Sequence, residues 1–213
     1  MNNKRTEKWL KEHPEVDTKK FNKIEGAVLE ILDALGEDPT REDLVDTPHR
    51  VAKMLLGETM IGYKYGPKEL ADLAGSSTFS QNHTGNVVLV KDIQFFSNCS
   101  HHMVPFFGKV HVAYIPNGKV LGLSKIPRVV KMASKKLQLQ ENLGQEIADA
   151  IATASNAKAV VVIIDSDMHL CVASRGVEDY SSNATTIATA GQEEGWGVSR
   201  SEFLDTVFKM LGR

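Results

Sequence analysis

The chain has 213 residues, 42% hydrophobic and 24% charged, with a formal net charge of -2. That length supports one globular domain with an appendage, and the charge excludes the general basic face of a nucleic-acid binder. No apolar run approaches the roughly 20 residues of a membrane span, and the polar start, Met1 to Lys8, lacks the apolar core of a signal peptide. With two cysteines and no export signal, a cytoplasmic, reducing setting is expected, where metal or catalytic roles for Cys outrank a disulfide.

Residues 1 to about 16 read as a charged, weakly ordered lead-in. Phe21, Ile24, Val28, Ile31 and Leu35 then form one helical stripe, with Asp17 and Thr18 as caps and Gly36 as stop. Thr47-Pro48 starts another helix, with Thr as N-cap and Val51, Met54 and Leu55 as its buried face. Gly62 to Gly66 breaks it, Pro67 to Leu73 is a short helical turn, and 75–86 is a loop. Residues 1–75 are expected to form a helical arm, and 76–213 the main domain.

The pattern changes to strand at Val87, with Val87–Val90 and Ile93–Phe96 as one long or bent strand. Val110, Val112 and Tyr114 alternate with His111, Ala113 and Ile115. Pro116-Asn117-Gly118-Lys119 signals a hairpin, and Val120–Leu123 begins its return. Ser124 caps a helix bearing Val129, Val130 and Ala133; a second carries Leu139, Leu143, Ile147 and Ile151. Val160–Ile164 is a buried strand, continued by His169–Ala173, and Ser182–Ala190 is a last strand. Ser199-Arg200-Ser201-Glu202 is a capping box opening a helix with Phe203, Leu204, Val207, Phe208 and Leu211. The order predicts an α+β fold, with helices layered on one face of a mostly antiparallel sheet.

Chemistry concentrates in Cys99-Ser100-His101-His102, between two apolar segments, and in His169-Leu170-Cys171. Two Cys and one His make a three-ligand set suited to zinc with one open position; a third cysteine for a Cys-rich structural site does not exist. Buried cysteines without metal, or a disulfide between them, are the alternatives. In a strand, His169 and Cys171 face the same way. His101 and His169 are then free for general acid–base work, whereas His13, His49, His83 and His111 have no comparable context. Ser124, Lys125 and Arg128 cluster at a helix start, where free N–H groups favour an anion, and Arg175 follows Cys171 closely enough to join them. Gln140 and Glu141 open the next helix, and Glu141 can accept two N–H bonds from a guanine-like edge.

Taken in order and at their spacing, several pieces together resemble the GTP cyclohydrolase I family over roughly residues 20 to 210. They are Asp46-Thr47-Pro48-His49-Arg50-Val51-Ala52-Lys53-Met54, Cys99-Ser100-His101-His102, Tyr114-Ile115-Pro116, Gly122 to Arg128, Leu139-Gln140-Glu141, His169-Leu170-Cys171 and Arg175-Gly176. The resemblance implies a tunnelling fold: a four-stranded antiparallel sheet with two helices packed on one face, a helical N-terminal arm and a C-terminal helix. It implies a homodecamer with active sites at subunit interfaces, and conversion of GTP to formate and 7,8-dihydroneopterin triphosphate. By position, Cys99, His102 and Cys171 match the zinc ligands, His101 and His169 the proton-transfer histidines, and Gln140 with Glu141 the guanine-recognition pair. Lys125, Arg128 and Arg175 match the triphosphate clamp, Ser124 a substrate contact, and Arg50 an arginine supplied to a neighbouring subunit. Ser100 departs from the pattern: the family usually has Glu there, a carboxylate able to orient an imidazole. Two other readings are a zinc-free nitrile reductase of related fold, opposed by the Cys/His set, and a non-catalytic nucleotide-binding paralogue, motivated by Ser100.

Overall fold

The computed structural model describes residues 3–80, 86–191 and 199–213. His83 and most of the segment 191–198 lie outside the described residues. The contacts divide the chain into two compact units, one ending at Ile61 and the other running from Gly62.

In the first unit the expected lead-in is instead a helix, α1 (Asn3–Glu12). Its charged composition hides a buried Trp9, which packs against Phe21 of α2 (Thr18–Ala34) with ring centroids 5.3 Å apart. Val16, Ala52, Leu10, Ile24 and Leu56 complete this small core. Asp17 caps α2 by accepting from the N–H groups of Lys19 and Lys20, and Gly36 follows with φ +77°, a left-handed conformation that suits glycine. The expected stripe along α2 is only partly buried: Phe21 is enclosed, Leu32 joins it, and Ile31 and Leu35 are exposed. Helix α3 (Thr47–Met54) has Asp46 rather than Thr47 at its cap position, with no side-chain cap bond, and ends in a π-helical turn at Leu55–Thr59.

A 3₁₀ turn, Ile61–Lys64, spans the boundary, and the second unit continues with α4 (Pro67–Gly75). The sequence reading groups residues 62–75 with the arm; their contacts lie with the sheet unit. Leu70 and Ala74 of α4 are buried among the side chains of α5 (Lys125–Ser134) and α6 (Gln140–Ser155).

The main sheet is built on β2 (Val88–Cys99), β3 (Pro105–Ile115), β6 (Ala159–His169) and β7 (Ala184–Gly191), each antiparallel to its neighbour. A fifth, two-residue strand, β5 (Leu137–Gln138), adds a parallel edge beside Asn98 and Cys99. It falls in the short link between α5 and α6, which two residues of pattern cannot announce. Alternation sorts the two faces. Val110, Val112, Tyr114, Val160, Val162 and Ile164 meet Ile126, Val129, Leu143, Ile147 and Ile151 of α5 and α6. Ala113, Ile115, Val161 and Ile163 meet Phe203 and Val207 of α8 (Arg200–Leu211) on the other face. The capping box at Ser199 and Glu202 is present.

The return after the Pro116–Lys119 turn does not pair with β3. β4 (Lys119–Leu121) pairs instead with β1 (Thr78–Ser80). Both edges of β3 are already taken by β2 and β6, and Leu121 N–H ties back to β3 by donating to the buried Tyr114 hydroxyl, at 2.9 Å.

His111, given no chemical role by the sequence, is a buried link. Its Nδ1 accepts from Asp92 N–H at 3.1 Å, at a β-bulge where Asp92 has φ +60°. Its Nε2 therefore donates to Asp165, 3.2 Å away. The same carboxylate takes Thr185 and the guanidinium of Arg213. Burial alone pushes the Asp165 carboxyl up, but the bonds from Arg213 and Thr185 and the charges of Arg213 and His111 outweigh it and hold it below the ordinary carboxylate value. A depressed folded value means stability that is present above the unfolded value and lost as pH falls through the folded one. Asp165→Asn should therefore lower stability by about 2 kcal/mol near neutrality. The gap from wild type should close as thermal melts are taken from about pH 5 down through the depressed value.

Candidate active site

Two strand ends and two helix starts converge on one cavity of about 300 Å³, lined by Cys99, His101, Gln140, Glu141, His169 and Cys171, among others. Cys99 ends β2 and is buried. Its position is doubly held: its N–H donates to Val104 O at 2.8 Å, and β5 lies alongside in register with Gln138. The turn that follows needs a left-handed residue, supplied by Met103 at φ +59°. Ser100 is exposed, and its N–H donates to Gln138 O at 3.0 Å.

His169 ends β6 opposite Phe106. The chain does not continue as a strand, as the sequence suggests, but closes a single helical turn, α7 (Leu170–Ala173), secured by Ser174 N–H to Leu170 O. The expected same-side relation of His169 and Cys171 therefore has a different origin: strand end and helical turn, not strand alternation. The Phe106 ring stacks on the imidazole with centroids 4.8 Å apart and planes 10° from parallel. His169 Nε2 lies 2.8 Å from Gln140 Oε1. Burial pushes this imidazole below its ordinary value, against the opposing charge of Glu141. Burial, and then the neighbouring Cys99, push the Cys171 thiol up, with Arg175 acting the other way.

The two thiols are thus neighbours on the cavity wall, but His102 is not among the residues lining it. Its Nε2 is 2.9 Å from Arg175 Nη1. Among the described residues, no group of three or more His, Cys, Asp or Glu side chains stands in metal-holding geometry. The donor chemistry nonetheless suits zinc. A guanidinium only donates, so His102 Nε2 presents its lone pair, as a metal-ligating imidazole must, and thiols complete a soft-to-borderline set.

Ser124, Lys125 and Arg128 begin α5 as expected, but none is among the described residues lining this cavity. Ser124 makes no side-chain cap bond and Arg128 is exposed. Arg50, in the first unit, is 72% exposed and lies 3.9 Å from Asp46.

The cavity also has members that sequence reasoning missed. Phe106 was hidden because cross-strand register is not written in either strand. Asp179, whose carboxylate accepts from Ser181 and Ser182 and is held down to about 2 by those bonds, had a readable signal: an Asp followed by serines two and three residues on is an Asx-turn pattern. Ser182, Asn183 and Thr186 complete that wall.

An α+β protein whose two thiols, two imidazoles and two carboxylates share a pocket has the makings of an enzyme. The chain belongs to the GTP cyclohydrolase I family, whose model matches residues 24–208. A relative from Chlorobaculum tepidum, named GTP cyclohydrolase 1, is 46% identical over 188 residues, 88% of this chain and 81% of the relative. Relatives of the same name from Clostridium kluyveri and Streptococcus agalactiae are each 44% identical, over 89% and 88% of this chain and 97% of their own length. A solved structure, archaeosine synthase QueF-Like in the apo form, has a TM-score of 0.43 at 21% identity, over 52% of this chain and 98% of that one. That likeness is too slight to carry an argument.

Gly108 sets the approach of the His169 arm. It sits at the register shift between β3 and β6, where an added Cβ would lie 2.1 Å from Asp165 O and 2.7 Å from Ser166 Cα. Gly108→Ala should destabilise the protein by about 2 to 3 kcal/mol, since backbone, not a flexible side chain, must give way; thermal or denaturant unfolding measures it.

Proposed function

We propose that this chain opens the imidazole ring of GTP, releases C8 as formate and recloses the skeleton as 7,8-dihydroneopterin triphosphate. The observation that carries the reading is the convergence of Cys99, Cys171, His101, His169 and Glu141 on one cavity, in a chain whose relatives carry the name of that activity.

Cys99, Cys171 and His102 are the residues that would hold zinc, and a bound zinc supplies a Lewis acid at the cavity. Adopting that role requires His102 to exchange Arg175 for the metal. Glu141 accepts N–H groups of the guanine edge, and its charge sits beside His169. His101 and His169 move protons, the role suited to groups that titrate nearest neutral pH. Lys125, Arg128 and Arg175 bind the triphosphate, with Ser124 as a further substrate contact.

The tunnelling fold and an interface-built site are part of the same proposal. Ser124, Lys125 and Arg128 stand outside the cavity that holds Glu141, and Leu123 beside them is 65% exposed. A homo-oligomer, a decamer in the family pattern, would bring one subunit's clamp to another's pocket, with Arg50 also supplied across an interface. A cytoplasmic setting is proposed from the cysteine usage.

Pure protein incubated with GTP should yield formate and the pterin product in equal amounts, followed by absorbance; chelation should abolish turnover and added zinc restore it. Zinc-free protein working at an undiminished rate would falsify the zinc-dependent reading. Cys171→Ala should lose bound zinc, near one per subunit in wild type, and lower turnover by more than about 100-fold, the scale reached by changes behind a ligand alone. Metal analysis and formate release measure the two losses separately.

A further inference from the structure

Gln140 opens α6 on the cavity wall and is 4% exposed. Its amide nitrogen lies 3.1 Å from Ile164 O on β6, 3.0 Å from Ala184 O and 3.2 Å from Thr186 Oγ1, both on β7. Two of these partners are carbonyl oxygens, which can only accept. An amide oxygen placed there would meet two acceptors, so the side chain has one sensible orientation: nitrogen towards the strands, oxygen towards His169. That oxygen also only accepts. His169 Nε2, 2.8 Å away, must therefore carry a proton and donate it. In a neutral imidazole one ring nitrogen donates and the other accepts, which leaves the lone pair on Nδ1. Among the described residues no hydrogen bond engages Nδ1. The parallel Phe106 ring restricts tilt of the imidazole.

We propose that Gln140 is a positioning residue that holds His169 as the Nε2–H tautomer, with the lone pair of the ring on Nδ1. The role rests on the GTP reading above for its chemistry, but not for its geometry. It also changes what the Gln140 side chain is for: its amide group is committed to two strands and an imidazole rather than to the guanine edge, which leaves side-chain recognition of the purine to Glu141. The anchoring bonds on β6 and β7 make the tautomer depend on the sheet's own spacing.

The test reads the tautomer without turnover. Long-range proton–nitrogen correlation spectra of the zinc-loaded, ¹⁵N-labelled protein, without GTP, should show His169 as Nε2–H, with His169→Asn assigning the signal. Gln140→Leu should give a mixture of tautomers. In the same variant kcat should fall by roughly 10 to 100-fold, part of the range that general acid–base catalysis supplies, while KM for GTP changes by less than about threefold. Thr186→Val, which removes one anchor without touching His169, should keep the Nε2–H signature. An Nδ1–H signature in wild type overturns the proposal whatever the variants do. So does a Gln140→Leu protein with unchanged kcat and a raised KM, the behaviour of a purine contact. An Nε2–H signature in a protein that releases no formate from GTP supports the tautomer lock and sinks the GTP reading instead.

Discussion

From Phe106 opposite His169 to Ile115 opposite Ala159, β3 and β6 run antiparallel along their whole length, and most of the molecule is placed by that ladder. Because side chains alternate, one pairing builds two cores at once: valines and isoleucines of even number face α5 and α6, and those of odd number face α8. A one-residue slip would exchange the two sets. The ladder also carries the chemistry at one end, since the pairing that buries Val110 and Val162 brings Phe106 beneath His169.

Close to that end the ladder is irregular, and the irregularity has a purpose in packing. Gly108 lets the β6 backbone approach closer than any Cβ allows, and beyond the register shift there His169 stands opposite Phe106. On the opposite face Asp165 gathers His111, Thr185 and Arg213, so that β3, β6, β7 and the end of α8 share one carboxylate. Such a hub is worth most when every partner is present, because a buried polar group left alone loses its full desolvation cost. The strand that ends in His169 is thus held by apolar packing on both faces and by ion pairing at Asp165.

Within the cavity the polar wiring is directional. Carbonyls of β6 and β7 orient the Gln140 amide, the amide orients His169, and the ring of Phe106 fixes its plane. The thiols are juxtaposed in the same way, Cys99 by β5 and Cys171 by the α7 turn. His102 and Arg175 pair with each other in an exposed position. The basic start of α5, outside this wiring, is the feature that a single chain leaves without an evident counterpart.

Features that depend on neighbours a few residues away can be read from the residues alone. The helices after Asp17 and Ser199, the bent strand at Val87 to Phe96, the Asn117-Gly118 turn and the residue types of the site were all legible, because caps, periodicity and turn chemistry act locally. Family spacing added the pairing of Cys99 with Cys171 across the chain. Tertiary structure alone decided the rest. α1 was unreadable because its helix is secured by Trp9 against Phe21, a contact between elements. β4 left β3 for β1 because strand edges are filled by competition, which no turn signal records. His111 became a buried link, and Gln140 a guide for His169, only when strands distant in sequence supplied an acid and two carbonyls. A side chain's hydrogen-bond partners follow from where the backbone of other elements lies, and that is fixed by packing of the whole sheet rather than by the residue or its neighbours.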